Sequence, residues 1–393
     1  MHPPRCALHP ISIKLMRQGH PWVTLDAFSR RFPRDAKFVV GQDDRKMDIG
    51  ILLHDPNHKV VRGRLWSLTR PWNEKMFWPE VEERLHLARA KRLELASFKV
   101  RDDRYWIFGE VDNFPGLMLL QLGEHFIVQF YALCWRDFFP ELKPLLLKYF
   151  PEITEDKLWI QTRSEDGAGQ KPPTLWNDEK KIVTFPVNED GFKILARLGE
   201  AYDYGLYADM AAVRYALKPE LTHKKRVLNL YSYTGAFSLQ ALHLGSSEVI
   251  SVDLSGKYLG WLEENLALNK FSGTHRSMKM ATDEALRILK SEGQKFDFII
   301  SDPPSASSDG QKRTSALQAY EKQWSDLQDL LAPEGQLLTF LNTHTVSSAK
   351  FEAHLKGLPG QRLKMKTRYT LKDDCLTFKG FHEGNYLKGI LWS

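Results

Sequence analysis

Two rhythms of apolar and polar positions divide this chain. In the first half, short β-like runs dominate. FVVG (38–41), IGILLHDPNHKVV (49–61) and RGRLWS (62–67) are brief apolar stretches broken by turn residues, among them Asp55-Pro56-Asn57. They predict a small β-rich module over about 10–70, with Trp22 and Trp66 in its core. Residues 80–100 place apolar side chains at helical spacing with charges between them, the pattern of one amphipathic helix. RYWIFGEV (104–111), GLMLLQLG (116–123) and HFIVQFYAL (125–133) then read as strands joined by turns at Pro115-Gly116 and Gly123. A second helix is expected over about 135–150, before Pro151, and the polar stretch SEDGAGQKPP (164–173) predicts an exposed loop.

From about residue 185 the rhythm changes. VLNL (227–230), EVISVD (248–253), KFDFIISD (295–302) and GQLLTFLN (335–342) read as strands. AFSLQALHLG ending at Gly245, the span 256–270 and a stretch near 315–331 read as helices between them. Apolar runs separated by helices imply parallel strands buried on both faces. KMKTRYTL (364–371) and YLKGILWS (386–393) add a late β-pair at one edge, so the expected fold is a doubly wound α/β sheet.

Composition changes this picture little. A chain of 393 residues exceeds one ordinary core, and 42% hydrophobic with 26% charged residues is a globular balance. No apolar run approaches the roughly 20 residues that span a bilayer. The opening MHPPRCALHP lacks the apolar stretch of a secretory signal. Cys6, Cys134 and Cys375 lie far apart, without a CxxC pair or zinc spacing. Together these predict a reduced, cytoplasmic protein with no metal and no membrane partner. Charge says more. The net charge is +6, yet residues 1–70 hold 13 Lys and Arg against 6 Asp and no Glu, so the remainder is slightly acidic. A basic excess confined to one end suits contact with a polyanion such as nucleic acid; a solvated basic surface is the plain alternative.

Three motifs carry chemistry. In VLNLYSYTGAF (227–237) the loop after the first α/β strand holds Tyr231, Ser232, Tyr233, Thr234 and Gly235, where ligands of such sheets bind. A dinucleotide would want GxGxxG there to cradle its pyrophosphate. The single Gly235 suits a ligand without phosphate, for which one close backbone approach and polar groups for an amino-acid end suffice. Asp253 ends the second strand, where a carboxylate can accept both hydrogen bonds of an adenosine ribose; capping the next helix is its alternative role. FDFIIS runs into Asp302-Pro303-Pro304, whose prolines fix φ and make a stiff wall at the ligand crevice. Asp302 can face a transferring methyl group or hold the acceptor base. Asp283, in ATDEAL, is placed either to contact an adenine or simply to begin a helix. These features point to S-adenosylmethionine as cofactor.

NLYSYTGAFSLQAL, SVDLSGKYLGWLEENLALN and FDFIISDPPS resemble the bacterial large-subunit rRNA methyltransferases that make 5-methylcytosine in 23S RNA. The resemblance covers nearly the whole chain. GHPW with the basic segment after it is similar to the family's RNA-binding PUA domain. GEVDNFPGLMLLQLGEHFIVQF resembles the start of its central domain. DYGLYADMAAVR (203–214) is similar to the segment just before the catalytic core, usually G-x-x-x-D-Q-R. Gly205, Asp209 and Arg214 match, while Met210 and Ala211 replace Gln-Arg. The resemblance implies a Rossmann-like class I methyltransferase domain over 185–393, preceded by a PUA-like domain (1–72) and a central α+β domain (73–184). It also implies Asp209 at the cofactor site.

The target departs from the family. Methylating cytosine C5 needs a thiolate to add at C6, and the family's cysteine follows the fifth strand. Here that stretch reads Thr339-Phe340-Leu341-Asn342-Thr343-His344. Methylation of a base nitrogen in ribosomal RNA is therefore the expected reaction, because such an acceptor already carries a lone pair and needs orientation more than covalent catalysis. Asp302 would orient the acceptor against the Pro303–Pro304 wall, with Asn342 across the pocket, and SASSDGQKR (305–313) reads either as a loop that closes on RNA or as a solvated surface loop. The alternatives are 5-methylcytosine formation using Cys375, a small-molecule methyltransferase, and a non-catalytic RNA-binding protein. A nicotinamide oxidoreductase is disfavoured by the missing GxGxxG. A homodimer is compatible with all of these.

Overall fold

The computed structural model describes residues 2–68, 71–163, 171–308 and 313–393. Residues 164–170 of the expected polar loop and 309–312 of the expected closing loop lie outside them. The chain divides into two compact units. The N-terminal unit comprises residues up to Phe185 with Arg197–Tyr204 and Asp373–His382; the second holds Pro186–Ala196, Gly205–Lys372 and Glu383–Ser393.

The N-terminal unit contains two five-stranded sheets. One orders its strands Arg5–Ala7, Phe38–Gln42, Asp48–His54, Val61–Ser67, Trp22–Thr24. The other runs Thr174–Leu175, Leu158–Thr162, His125–Phe130, Leu117–Leu122, Asp103–Phe108. A single apolar core joins Phe38, Ile51 and Trp66 of the first sheet to Leu119, Val128 and Leu158 of the second, with Trp135 and Leu142 of the helix Trp135–Tyr149 between them. The two motifs of this half meet here. Glu110 accepts hydrogen bonds from Trp22 Nε1 (2.6 Å) and from the buried Arg64 (2.9 Å), whose guanidinium lies over the Trp22 ring. The helix expected over 80–100 is Phe77–Leu93, with a separate short turn at Ala96–Lys99. Its inward stripe is Phe77, Val81, Leu85 and Ala88 and ends on Arg92, whose guanidinium turns inward to Asp112 and the Tyr105 carbonyl.

The second unit is built on a seven-stranded sheet. Its strands are β1 (Arg226–Leu230), β2 (Glu248–Asp253), β3 (Thr274–Lys279), β4 (Phe296–Ser301), β5 (Leu331–Asn342), β6 (Met365–Tyr369) and β7 (Leu387–Trp392), in the order β3-β2-β1-β4-β5-β7-β6. The first five are parallel, and β7 pairs antiparallel with both β5 and β6. The helices are α1 (Ala211–Leu221), α2 (Ala236–His243), α3 (Gly256–Leu268), α4 (Thr282–Ser291), α5 (Ala316–Asp329) and α6 (Ser348–Lys356). This is the α/β sheet with a late β-pair expected from the sequence. Its strands β1, β2 and β4, and residues 335–341 of β5, are almost wholly buried, as double-sided cover requires. The strand order reverses between β1 and β4, which opens a crevice at their carboxyl ends.

A hairpin, Val183–Glu189 with Phe192–Leu198, precedes the sheet. Its two-residue turn is Asp190-Gly191, both at positive φ (50° and 96°), the chemistry that a tight hairpin demands.

Candidate functional site

The carboxyl ends of the parallel strands surround a cleft of about 650 Å³, within the roughly 300–1,000 Å³ typical of small-molecule sites. Asp209, Tyr231, Ser232, Tyr233, Thr234, Asp253, Asp283, Asp302, Pro303, Pro304 and Asn342 all line it. Of the residues singled out in the sequence, Gly235 is not among the lining residues.

The loop after β1 is tightly wound. Tyr231 and Tyr233 both take positive φ (57° and 52°), and Gly235 caps α2 at φ 88°. A Cβ on Gly235 would lie 2.0 Å from Leu262 Cδ1, so what requires glycine here is the approach of α3 together with the left-handed backbone. The loop is held from outside: Thr234 Oγ1 donates to the Gly205 carbonyl, and Asn265 Nδ2 to the Thr234 carbonyl (2.9 Å). Asp253 holds it from the next strand. One carboxylate oxygen accepts from Tyr233 N (2.9 Å), the other from Ser255 N (2.8 Å). Burial pushes the Asp253 pKa up, and those backbone amides oppose the rise. Capping of α3 falls to Ser255, which accepts from Tyr258 N.

Asp302 follows β4 on a loop tied down by Ser305, whose hydroxyl donates to the Asn342 carbonyl at the end of β5. Behind it, the fully buried Tyr320 of α5 places its hydroxyl 2.8 Å from the carbonyls of Ser301 and Phe340 and accepts from Phe340 N. This happens just past Ser301–Thr339, the last paired residues of β4 and β5, where the strands need a partner to part. Among the described residues no donor reaches the Asp302 carboxylate. Burial, and then the like charge of Asp209, push its pKa up to about 7. Asp209 in turn accepts from Tyr386 OH (2.6 Å). The Tyr386 segment is fixed by Lys388, whose ammonium donates to the carbonyls of Thr343, Asn385 and Tyr386. Burial of that ammonium lowers its pKa to about 8.

Charge makes the cleft selective. Four carboxylates line it (Asp209, Asp253, Asp283 and Asp302) against two cations, Arg214 and Lys322. Arg214 is already committed to Glu189 through two hydrogen bonds of 2.5 and 2.6 Å. Such a lining suits a cationic ligand and repels a pyrophosphate. Ser232 Oγ is buried with no hydrogen-bond partner among the described residues, an unfilled polar position in the cofactor loop. These residues fit S-adenosylmethionine, whose net charge is positive. Asp253 would hold its ribose diol and the β1–α2 loop its amino-acid end.

Several lining residues were not anticipated. Tyr207, 49% exposed, tilts against Tyr233 at 5.3 Å between ring centroids, and Tyr233 meets Tyr258 edge-on at 4.5 Å. Gln323 interrupts the buried stripe of Ala316, Ala319, Tyr320, Trp324 and Leu327 on α5, and a polar residue on that apolar face, where Gln328 is the other, was its only signal. Cys375 is absent from the cleft lining. It is fully buried in the N-terminal unit, on a segment held by Ser97 to Asp373 and by Arg101 (2.5 Å) and Tyr105 N (2.7 Å) to Asp374.

Comparison with known proteins places these features. Residues 161–355 match the family described as S-adenosylmethionine-dependent methyltransferase. The chain is 26% identical over 404 residues to ribosomal RNA large subunit methyltransferase I of Klebsiella pneumoniae, covering 98% of this chain and 97% of that one. It is 29% identical over 387 residues to ribosomal RNA large subunit methyltransferase of Deinococcus radiodurans, covering 95% and 93%. Among solved structures, SMU.776 complexed with SAH superposes with a TM-score of 0.84 at 18% identity, over 99% of this chain and 100% of that one. A SAM-dependent methyltransferase from Agrobacterium tumefaciens gives 0.56 at 18% identity, over 74% and 90%.

Proposed function

We propose, for a chain that belongs to the S-adenosylmethionine-dependent methyltransferases, that it methylates a base nitrogen of ribosomal RNA. One observation carries the RNA part. The similarity to rRNA methyltransferases spans 98% of this chain, including some 160 N-terminal residues outside the catalytic family match. A methyltransferase of small molecules has no use for that half. Its first 72 residues serve in this reading as a PUA-like module and 73–184 as a central domain. Lys14, Arg30, Arg31, Arg34, Arg45 and Lys46 are exposed there, the residues from which a phosphate-tracking surface is made. In this reading the place of work is the cytoplasm, following the likeness to rRNA methyltransferases.

S-adenosylmethionine supplies an electrophilic methyl group when bound. The chain's own residues do the rest. Asp253 and the β1–α2 loop hold the cofactor, and the Asp302-Pro303-Pro304 wall and Asn342 bracket a flipped base. With a pKa near neutrality, the Asp302 carboxylate can orient an acceptor N–H and take its proton. The burial of Cys375 outside the cleft lining favours nitrogen over cytosine C5, which would need a thiolate.

The test is transfer of labelled methyl to undermethylated ribosomal RNA, with nucleoside analysis of the product. An N-methylated base is the expected product. Labelled 5-methylcytosine would overturn the nitrogen reading, and absence of transfer to any ribosomal RNA would overturn the RNA reading. Cys375→Ala is expected to keep wild-type activity in the same assay.

A further inference from the structure

Gln323 is 4% exposed, yet it lines the cleft. A carboxamide is costly to bury unless its hydrogen bonds are made. Here they are: Nε2 donates to Asp283 Oδ1 (2.5 Å) and to Tyr231 OH (2.8 Å), and Oε1 lies 3.1 Å from the same hydroxyl. The orientation of the amide is dictated by Asp283, since only the NH₂ end can face a carboxylate. Asp283 is thereby held by one oxygen, Oδ1. Its Oδ2 has no donor among the described residues. A fixed, uncommitted carboxylate oxygen at the cleft is a reader of N–H groups: it attracts the exocyclic amine of a 6-aminopurine and repels the carbonyl of a 6-oxopurine.

We infer that Gln323 is a positioning residue that sets the selectivity of the cofactor site for adenine by fixing the Asp283 carboxylate. The inference rests on the reading that Asp283 meets the adenine of S-adenosylmethionine. It goes beyond that reading in assigning the selectivity to a side chain of α5, the helix packed beside α4, whose first turn holds Asp283.

The experiment is equilibrium binding of S-adenosylhomocysteine and of S-inosylhomocysteine, its 6-oxo analogue, to the full-length protein. Wild type is expected to prefer the adenosyl compound. Gln323→Leu should lose about tenfold of that preference, the worth of one hydrogen bond to a charged group. Asp283→Asn should reverse the preference, because Gln323 keeps the new amide oxygen on its own side and turns the NH₂ towards the cleft. If Asp283→Asn leaves the preference unchanged, the placement of adenine is wrong and this inference falls with it. If Asp283→Asn reverses the preference but Gln323→Leu retains it in full, the placement stands and the role of Gln323 is overturned. Gln323→Glu gives a readout that a purely structural role would not move. The carboxyl introduced by that change can still donate to Asp283 while protonated, whereas two ionised carboxylates side by side repel. S-adenosylhomocysteine should therefore bind that variant nearly as wild type at about pH 5 and about tenfold more weakly at about pH 8. A flat profile would overturn the inference.

Discussion

Asp302 is half-buried at the end of β4 with Asp209 as its like-charged neighbour, and its pKa of about 7 has consequences for stability as well as reactivity. An unfolded Asp titrates near 3.9, so between that value and about 7 the folded chain binds more protons at this site than the unfolded one. Its contribution to stability is therefore greatest at low pH and is lost as pH rises through that window. Asp302→Asn should remove this dependence, raising the melting temperature more at pH 8 than at pH 5. In methyl transfer the ionised form is the useful one, so wild-type activity at saturating cofactor should climb through about pH 7. In Asp302→Asn the remaining activity should be low and lack that limb. A wild-type profile that is flat between pH 6 and 8 would remove Asp302 from any proton-accepting role.

At the scale of elements, the site depends on how closely α3 approaches the mouth of α2. Alanine at Gly235 faces two penalties, a left-handed backbone at φ 88° and a Cβ 2.0 Å from Leu262 Cδ1. Gly235→Ala should destabilise by about 2–4 kcal/mol in chemical denaturation. Adding Leu262→Ala should recover the steric part, visible as strong non-additivity in the double-mutant cycle. Elements of this unit were largely legible in the sequence because their burial pattern is local. Glu248–Asp253 matches its expected bounds, and β4 and α5 differ from theirs by a residue or two at each end. β5 begins at Leu331, before the expected 335, because Leu331 pairs with Phe296 ahead of an irregularity in β5, whose regular register resumes at Gln336 opposite Phe298. The Asp190-Gly191 hairpin carries its turn signal in the sequence itself, an Asp-Gly pair between two alternating runs. Neither the end of the helix at Leu93, inside the span expected to be helical to 100, nor the part played by Gln323 could be read. Arg92 ends its helix on Asp112, 20 residues on, and Gln323 finds Asp283 and Tyr231 at separations of 40 and 92 residues. Sequence periodicity records which face of an element is buried, not what a polar residue on that face will meet.

For the whole molecule, the decisive quantity is how binding to RNA responds to salt. Removing one cation that neutralises a phosphate should flatten the plot of log affinity against log salt concentration by roughly 0.7–0.9. Arg30, Arg31 and Arg34 are exposed around the short turn Ser29–Arg31, which Asp26 braces by accepting from the backbone of Phe28 and Ser29. Their joint replacement by Ala should reduce the slope and weaken RNA binding while leaving the affinity for S-adenosylmethionine unchanged. An unaltered slope would move the RNA surface elsewhere on the molecule. The acidic lining of the cleft has a consequence for turnover. Giving up a methyl group removes one positive charge from the cofactor, so under the proposed placement the spent molecule would be held less firmly than the fresh one by a cleft lined with Asp209, Asp253, Asp283 and Asp302. On that placement the carboxylates that draw the donor in would loosen their grip when the reaction is done. The bias towards exchange should steepen as pH rises and Asp302 ionises, making product inhibition weakest under the conditions in which that carboxylate is most reactive.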